Sequence, residues 1–323
     1  MKISVVGGAG FIGTNFCSLL SSFNKDFSVF DKALTGHSFL DVTKKDTLHS
    51  LVGSDVVVNL AAEHRDDVHP KSLYDEVNVT GARNICEYCS KAGIRTIIFT
   101  SSVAIYGFAP ANTDESGMAN YFNDYGRSKF LAEGVYKDWQ AGDPDNRKLV
   151  IIRPTVIFGE GNRGNVFNLL KQIASRKFIM FGDGCNRKSM AYVENVAAFL
   201  EYSLSFEPGV HIYNYIDKPD LDMNALVSIV RGSLFGKHNV GLRLPGFLGV
   251  SIGYLADAVA KVINRPLKIS SIRVKKFMST TEFASSISCT GFVPTRSLQE
   301  GLERTLRYEF LEDNSNKRTF DTE

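Results

Sequence analysis

No stretch of the chain approaches the run of about 18 apolar residues that a membrane-spanning helix needs. The apolar run at the N-terminus is interrupted by Gly7, Gly8 and Gly10 before any site typical of signal cleavage, which argues against a secretory leader. The formal net charge is only +2, which gives no electrostatic basis for binding nucleic acid. We therefore expect a cytoplasmic protein with no nucleic-acid partner.

Cysteine is scarce: the five present are scattered and odd in number, which is typical of reduced thiols. Cys86 and Cys89 form a C-x-x-C pair inside a helix predicted over residues 79–92. A tetrahedral metal site would need a second pair of ligands at similar spacing, which the sequence lacks. Packing is the better interpretation of this pair, and we predict no metal site.

The pattern of apolar residues indicates the fold class. Strands that are apolar throughout alternate with helical stretches, as in a parallel sheet covered on both faces. The predicted fold is α/β: a doubly wound parallel sheet with a smaller C-terminal lobe. The predicted strands of the sheet are 3–6, 27–30, 56–60, 96–100 and 149–153. After Pro154 we predict helices over 165–176 and 193–203, strands over 178–181 and 211–215, and a helix that begins near Met223.

A glycine-rich turn follows the first strand. Gly7, Gly10 and Gly13 have the spacing G-x-x-G-x-x-G between a strand and a helix. In a dinucleotide-binding turn such glycines allow a tight bend, close approach of a pyrophosphate to the backbone, and contact between helix and strand. The N–H groups at the start of the helix would bind the anion. Taken alone, the motif is also explained by a simple turn.

The end of the second strand favours one cofactor. Asp31 stands where a carboxylate can accept hydrogen bonds from an adenosine ribose, and it would repel a 2′-phosphate. NAD is therefore favoured over NADP, although the neighbouring Lys32 could pair with a phosphate. The predicted domains are an NAD-binding Rossmann domain over 1–160 to which 186–215 returns, a substrate lobe over 161–185 and 216–312, and a frayed tail over 313–323.

A phenol and an ammonium lie one helical turn apart in Tyr125 and Lys129. A free tyrosine is a poor base at neutral pH because its pKa is about 10, and nearby positive charge lowers that pKa toward the working range. Ser102 follows the strand 96–100 and can hydrogen-bond the same substrate oxygen. A nucleophilic serine is the rival interpretation, but no G-x-S-x-G elbow surrounds Ser102.

Together these motifs resemble the extended short-chain dehydrogenase/reductase superfamily, in its nucleotide-sugar epimerase/dehydratase branch, over essentially the whole chain. The resemblance rests on 7–13, Asp31, Asp41, Val42, 59–62, Asn78, Ser101, Ser102, Tyr125, Lys129 and 153–155. It implies that Ser102, Tyr125 and Lys129 form a catalytic triad. It also implies NAD contacts from Gly7, Gly10, Phe11, Ile12, Gly13, Asp31, Asp41, Val42, Leu60, Ala61, Ala62, Asn78, Thr100, Tyr125, Lys129 and Pro154.

Within this family, dehydratases and decarboxylases carry acidic residues after the catalytic hydroxyl, where this chain has Val103 and Ala104. Dehydration is therefore disfavoured. Epimerisation at one carbon and one-way reduction of a keto sugar remain. A regulator that senses NAD without catalysis is an alternative of another class, and the intact triad counts against it.

A narrower resemblance favours epimerisation. Segments 61–68, 153–165, 188–193 and 273–277 are similar to bacterial 4-epimerases that act on N-acetylglucosamine joined by a diphosphate to undecaprenol, in the assembly of O-antigen and other surface polysaccharides. It implies that Tyr125 takes the C4 hydroxyl proton while hydride passes to NAD, and that the 4-keto sugar turns over before the hydride returns. UDP remains an alternative carrier, because both carriers present a diphosphate.

The same resemblance implies substrate contacts from Asn165 and from Arg187 or Lys188, since the spacing to the following Tyr-Val fits either cation. His64 either lies near nicotinamide and substrate or is a solvated loop residue. Ser102 would also contact the substrate. The adjacent Arg65, Asp66 and Asp67 either form internal salt bridges or have a role that the resemblance implies without specifying it.

Residues 244–276 join an apolar stretch to a basic cluster, which suits docking on the anionic inner face of the cell membrane. A buried helix with solvated lysines explains the pattern equally well. The basic residues of this cluster are Lys261, Arg265, Lys268, Arg273, Lys275 and Lys276.

The family resemblance also implies a homodimer formed through a four-helix bundle that includes the Tyr125–Lys129 helix.

Overall fold

The computed structural model describes residues 1–65, 68–263 and 271–321. Its first half alternates strands and helices as the apolar pattern predicts. These elements are β1 (Lys2–Val6), α1 (Phe11–Ser22), β2 (Asp26–Phe30), β3 (Val56–Asn59), α2 (Ser72–Tyr74), α3 (Gly81–Ala92), β4 (Thr96–Thr100), α4 (Asp124–Ala141) and β5 (Lys148–Pro154). A π-helical segment, Asp75–Thr80, joins α2 to α3, so the helix predicted from residue 79 begins within it.

The second half contains shorter strands and several longer helices. They are β6 (Val156–Phe158), α5 (Asn165–Ala174), β7 (Met180–Phe181), β8 (Arg187–Lys188), β9 (Met190–Tyr192), α6 (Val193–Tyr202), β10 (Gly209–Tyr215), β11 (Leu221–Asp222), α7 (Met223–Phe235), β12 (Arg243–Leu244), α8 (Gly246–Ile263), α9 (Ser271–Met278) and α10 (Leu298–Leu306). The strand predicted over 178–181 is shorter than expected because only β7 pairs, with β12.

Six parallel strands form the main sheet in the order β10-β5-β4-β3-β1-β2. The strand order reverses between β1 and β3, and in doubly wound sheets ligands bind outside the carboxyl ends of the strands at such a point. The prediction of a doubly wound parallel sheet is therefore confirmed. Strand β10 lies far along the sequence, and it completes one edge of this sheet by pairing with β5.

Both faces of the sheet are buried, which explains why its strands are apolar throughout. Val57 and Phe99 belong to a core shared with α3 and α4. Val58 and Ile98 belong to a second core on the other face, shared with α1 and α6. Alternate side chains of a strand point to opposite faces, so each strand needs apolar residues at every position. Cys86 and Cys89 are buried in the first of these cores.

A third core holds the C-terminal lobe together and joins it to β6 and β9. It combines Leu170 of α5, Leu226 of α7 and Leu302 of α10 with Phe158 and Tyr192. Helix α10 begins at a capping box, in which Ser297 and Glu300 satisfy each other's backbone N–H groups. Of the helices that the structure describes, none is both long enough and apolar enough to cross a membrane.

The prediction of a frayed tail from residue 313 is wrong for the described residues up to Phe320. The N–H of Phe320 donates to the carbonyl of Gly161 at 2.9 Å, and the N–H of Arg163 donates to the carbonyl of Phe320 at 2.9 Å. The Phe320 ring also lies 5.6 Å from that of Phe11. Backbone pairing and an aromatic contact thus fix a segment whose polar composition indicated fraying.

Candidate active site

A cavity of about 570 Å³ opens at the carboxyl ends of the central strands. It extends from the turn after β1 to the start of α5, as expected at the switch point of the sheet. Most of the residues predicted to bind cofactor or substrate line it. They are Gly7, Gly10, Phe11, Ile12, Gly13, Asp31, Asp41, Val42, Leu60, Ala61, Ala62, His64, Thr100, Ser102, Tyr125, Lys129, Pro154 and Asn165.

The glycine turn has no room for side chains. Gly7 has φ +77°, and a Cβ atom there would lie 2.5 Å from the amide nitrogen of Ala61. A Cβ atom on Gly13 would lie 2.5 Å from the Cα of Gly8. Gly10 precedes α1 and provides no side-chain cap, so the first N–H groups of the helix remain available to an anion. This cradle fits the pyrophosphate of a dinucleotide.

A carboxylate stands at the neighbouring end of the cavity. Asp31 accepts hydrogen bonds from the N–H of Ala9 at 3.1 Å and from the N–H of Ala33 at 3.0 Å, so it is fixed against the glycine turn. Asp41 is held in the same way by Thr43, whose N–H donates to it at 3.0 Å. Two fixed carboxylates suit the hydroxyl groups of an adenosine and disfavour an additional phosphate.

The segment after β3 forms the floor of the cavity. Asn59 accepts a hydrogen bond from the N–H of Ala61 at 3.1 Å, which turns the chain toward the cavity. Asn78 was predicted to contact the cofactor, but it is not among the described residues that line the cavity. Its amide instead bonds both backbone groups of Glu63 at 2.9 Å and donates to Ser128 at 2.9 Å. Asn78 therefore fixes the segment after β3 against α4 from outside the cavity.

The catalytic candidates share one wall. Asn123 caps α4 by accepting from the N–H of Gly126 at 2.9 Å, which places Tyr125 and Lys129 in the first two turns. The ammonium of Lys129 donates to the carbonyl of Thr100 at 2.7 Å and lies 4.7 Å above the ring of Phe99. Burial lowers the pKa of Lys129 to about 7, against the opposing charge of Glu133. Its proton can therefore exchange at neutral pH.

Ser102 follows β4 and lies beside the start of α4, since a Cβ atom on Gly126 would lie 2.4 Å from the carbonyl oxygen of the neighbouring Ala104. Its Oγ accepts a hydrogen bond from the N–H of Ala104 at 3.1 Å, so its own O–H is left to donate into the cavity. The adjacent Ser101 is buried, lines the cavity, and has an Oγ without a hydrogen-bond partner in the described part of the chain. Buried polar groups are normally satisfied, so Ser101 indicates a bound polar group.

His64 lies at the mouth of the cavity. Desolvation lowers the pKa of its imidazole and the nearby charge of Lys129 acts in the same direction, while a hydrogen bond with the backbone of Ala62 opposes them. This shift favours the neutral imidazole, which can either donate or accept a hydrogen bond. Asp66 and Asp67, which follow in the same loop, lie outside the described residues.

The two cations predicted to hold the substrate diphosphate lie outside the cavity lining. Arg187 is more than half exposed and lies 3.7 Å from Glu282, and Lys188 donates to the carbonyl of Ser279 at 2.6 Å. Their neighbour Ser189 does line the cavity, with Thr281 and Phe283. Adjacent side chains of an extended segment point to opposite sides, which explains why Ser189 and not Lys188 faces inward.

A buried ion pair beneath the catalytic helix was missed by sequence reasoning. The guanidinium of Arg153 donates to both carboxylate oxygens of Glu133, at 2.8 and 2.6 Å, and to the hydroxyl of Tyr106 at 2.6 Å. Glu133 follows Lys129 by one helical turn, which was the available signal. Its partner comes from β5, and no local pattern connects the two residues.

The sequence profile of the NAD dependent epimerase/dehydratase family matches residues 3–215. The N-acetyl-alpha-D-glucosaminyl-diphospho-ditrans,octacis-undecaprenol 4-epimerase of Escherichia coli O157:H7 is 46% identical over 100% of this chain and 99% of its own length. The UDP-glucose 4-epimerase of Vibrio cholerae is 25% identical over 97% of each chain.

Solved structures share the fold. The UDP-glucose 4-epimerase of Thermotoga maritima, solved with UDP-glucose, has a TM-score of 0.73 at 20% identity and covers 97% of this chain and 100% of its own. The UDP-N-acetylglucosamine 4-epimerase of Methanobrevibacter ruminantium has a TM-score of 0.71 at 20% identity and covers 95% and 97%. The resemblance found in the sequence is confirmed: the chain belongs to the NAD dependent epimerase/dehydratase family, and NAD is its cofactor.

Proposed function

We propose that this chain is an NAD-dependent sugar 4-epimerase that interconverts N-acetylglucosamine and N-acetylgalactosamine on undecaprenyl diphosphate. The observation that carries the proposal is the 46% identity to the Escherichia coli 4-epimerase over the whole chain. The cavity supports it, because Ser102, Tyr125 and Lys129 all line it. This reaction would serve the assembly of O-antigen or another surface polysaccharide.

In the proposed mechanism Tyr125 is the base that takes the proton of the C4 hydroxyl group and later returns it. The ammonium of Lys129 stabilises the phenolate electrostatically, and its bond to the carbonyl of Thr100 fixes its position. Ser102 donates its O–H to the same sugar oxygen. When bound, NAD would accept the hydride from C4 and return it. Because Lys129 is buried, its charge interactions are stronger than in water.

The other end of the cavity is the proposed place of the substrate diphosphate. Gly164 precedes α5 without capping it by a side chain, and both Gly164 and Asn165 line the cavity. An open helix N-terminus next to a side-chain amide suits an anionic group. His64 is placed to orient the sugar ring from the cavity mouth. We keep Arg187 and Lys188 as proposed contacts of the carrier, at a place outside the cavity.

The segment after Ser102 supports epimerisation over dehydration. Val103 and Ala104 both line the cavity and neither can donate or accept a proton. Removal of a hydroxyl group from the sugar would need an acid at this place. The reaction that remains at the cavity is reversible oxidation and reduction at one carbon.

The proposed reaction leaves NAD unchanged overall, so turnover should need no added reductant. We expect product to exceed the protein-bound NAD many times over when purified protein is incubated with substrate alone. A 4-ketoreductase would instead require reduced cofactor in proportion to product. The absence of epimer without a reductant would therefore overturn the proposal.

We also propose that α8 docks on an anionic membrane surface, where a polyprenyl carrier resides. Phe247 and Leu255 are 68% and 67% exposed, and Ile252 and Val259 extend the same apolar surface. Lys275 of α9 donates to the hydroxyl of Tyr254 at 2.8 Å and places positive charge beside it. Arg265 and Lys268 lie outside the described residues, as do the side chains of Arg273 and Lys276.

This docking predicts binding to vesicles. Protein should sediment with liposomes that contain anionic lipid, and replacement of Phe247 and Leu255 by serine should weaken binding by about tenfold or more, because both apolar side chains would leave the interface. Val293 is 79% exposed and lies far along the sequence from α8, so Val293→Ser is the matched control. If the parent, the variant with serine at positions 247 and 255, and Val293→Ser all sediment equally, the docking proposal is wrong.

We further propose that the chain works as a homodimer at the inner face of the cell membrane. Helix α4 presents Phe130 and Leu131 to the surface, at 39% and 40% exposure. Apolar side chains exposed on the helix that carries Tyr125 suit a helical interface with a second copy.

A further inference from the structure

Residues 318–320 form a strap that lies against the glycine turn and the segment before α5. Arg318 donates from Nη2 to the carbonyl of Ala9 at 2.8 Å, within the glycine turn. Phe320 packs on Phe11, the first residue of α1, at 5.6 Å between ring centroids. The same strap pairs through its backbone with residues 161–163.

The strap contacts two walls of the cavity at once. Phe11 lines the cavity on the cofactor side, and Asn162 lines it where the chain leads to α5. Phe320 contacts the first wall through its ring and the second through its bridge with Asn162. The strap therefore braces the glycine turn and Phe11 against the segment before α5.

The conformation of residue 161 is adapted to the strap. Gly161 has φ +81°, and a Cβ atom there would lie 3.1 Å from the carbonyl oxygen of Arg318. Glu309 holds the same segment, because it accepts from the N–H of Gly161 at 2.7 Å and from Arg163 at 2.7 Å. The segment 161–163, with which the strap pairs, is thus also held by a residue outside the strap.

Arg318 also adds positive charge beside the glycine turn. The peptide of Ala9 is held on one side by Asp31, which accepts from its N–H, and on the other by Arg318, which donates to its carbonyl. Arg318 forms no ion pair with any carboxylate of residues 1–65, 68–263 and 271–321 within 4.0 Å. Its guanidinium lies 4.9 Å from the centroid of the Phe320 ring, so its positive charge is held beside the turn that receives a pyrophosphate, and a guanidinium attracts phosphate strongly.

We infer that Arg318 and Phe320 are positioning residues that hold the cofactor cradle in shape and so set how long NAD stays bound. The inference rests on the proposed function for its purpose: an epimerase must keep its cofactor between oxidation and reduction, since loss of the reduced form would leave the keto sugar unreduced. Arg318 holds the glycine turn through the carbonyl of Ala9 and adds positive charge beside it, while Phe320 holds Phe11 against the segment before α5.

The test measures release of NAD without any sugar present. Holoprotein is mixed with excess ADP-ribose, and the NAD that remains bound is followed over time for the parent and for Arg318→Ala, Phe320→Ala and Lys317→Ala. We expect the first two variants to release NAD about tenfold faster, which corresponds to the loss of one apolar contact or one charged contact. Lys317 lies over the ring of Tyr308 at 5.3 Å, so Lys317→Ala should behave like the parent.

Added salt provides a second readout. Release from the parent and from Lys317→Ala should quicken as salt screens Arg318, whereas Arg318→Ala should respond less. Arg318 is exposed, so its substitution leaves the fold intact, which thermal unfolding verifies. Release at the parental rate from both Arg318→Ala and Phe320→Ala would overturn the inference. Because no sugar is involved, this failure is distinct from a failure of the proposed epimerase reaction.

Discussion

Tyr125→Phe should lower the turnover number by about 10²- to 10⁴-fold while the protein keeps its NAD, because general base catalysis contributes that much. The substitution removes one oxygen from the first turn of α4 and leaves the ring that lines the cavity. Measurement of both the initial rate and the NAD content of the purified variant separates lost chemistry from lost cofactor.

Tyr121 provides the matched control for this experiment. It lies four residues earlier, is 39% exposed, is not among the described residues that line the cavity, and has its ring 6.1 Å from that of Phe130. Tyr121→Phe should therefore leave the rate nearly unchanged. Full activity of Tyr125→Phe would remove the phenol from the mechanism, and an NAD-sensing regulator would then regain support if its response to cofactor also survived.

Arg153→Met should destabilise the fold by about 3–5 kcal/mol, because it leaves the carboxylate of Glu133 buried without its bidentate partner. Glu133 is fully buried, and its two oxygens accept from Arg153 at 2.8 and 2.6 Å. The measurement is the free energy of unfolding in denaturant, and the methionine keeps most of the side-chain volume.

Lys137→Met is the matched control, since Lys137 pairs with the same carboxylate at 3.5 Å but is 38% exposed. An exposed ion pair contributes about 0–1 kcal/mol, so this variant should unfold almost like the parent. If the two substitutions lower the free energy of unfolding equally, the buried pair of Arg153 and Glu133 does not stabilise the helix that carries Lys129.

The sheet and the catalytic helix could be predicted from sequence because local patterns specify them. The strand 96–100 was predicted to the residue, since a short apolar run between turns has few alternatives. The glycine turn is equally local, because Gly7 needs a positive φ and closeness to Ala61. Such features require no knowledge of distant parts of the chain.

The features that sequence could not predict depend on contacts between distant residues. The strap at Arg318 is polar and was therefore predicted to fray, but its partner Ala9 lies 309 positions earlier. Substrate contacts of Arg187 and Lys188 were predicted from spacing, but the structure places these side chains beside Glu282 and the carbonyl of Ser279, which lie more than 90 positions later. Asn78 was predicted to bind the cofactor, but its amide forms hydrogen bonds with the backbone of Glu63 and with Ser128.

The measurement that tests the central claim most directly compares two carriers of the same sugar. Purified protein, without added reductant, is incubated in parallel with N-acetylglucosamine on undecaprenyl diphosphate and on UDP, and the released sugar is analysed. The account predicts N-acetylgalactosamine from the undecaprenyl carrier. Epimer from UDP alone would contradict the proposed carrier, and no epimer from either would contradict the proposed reaction.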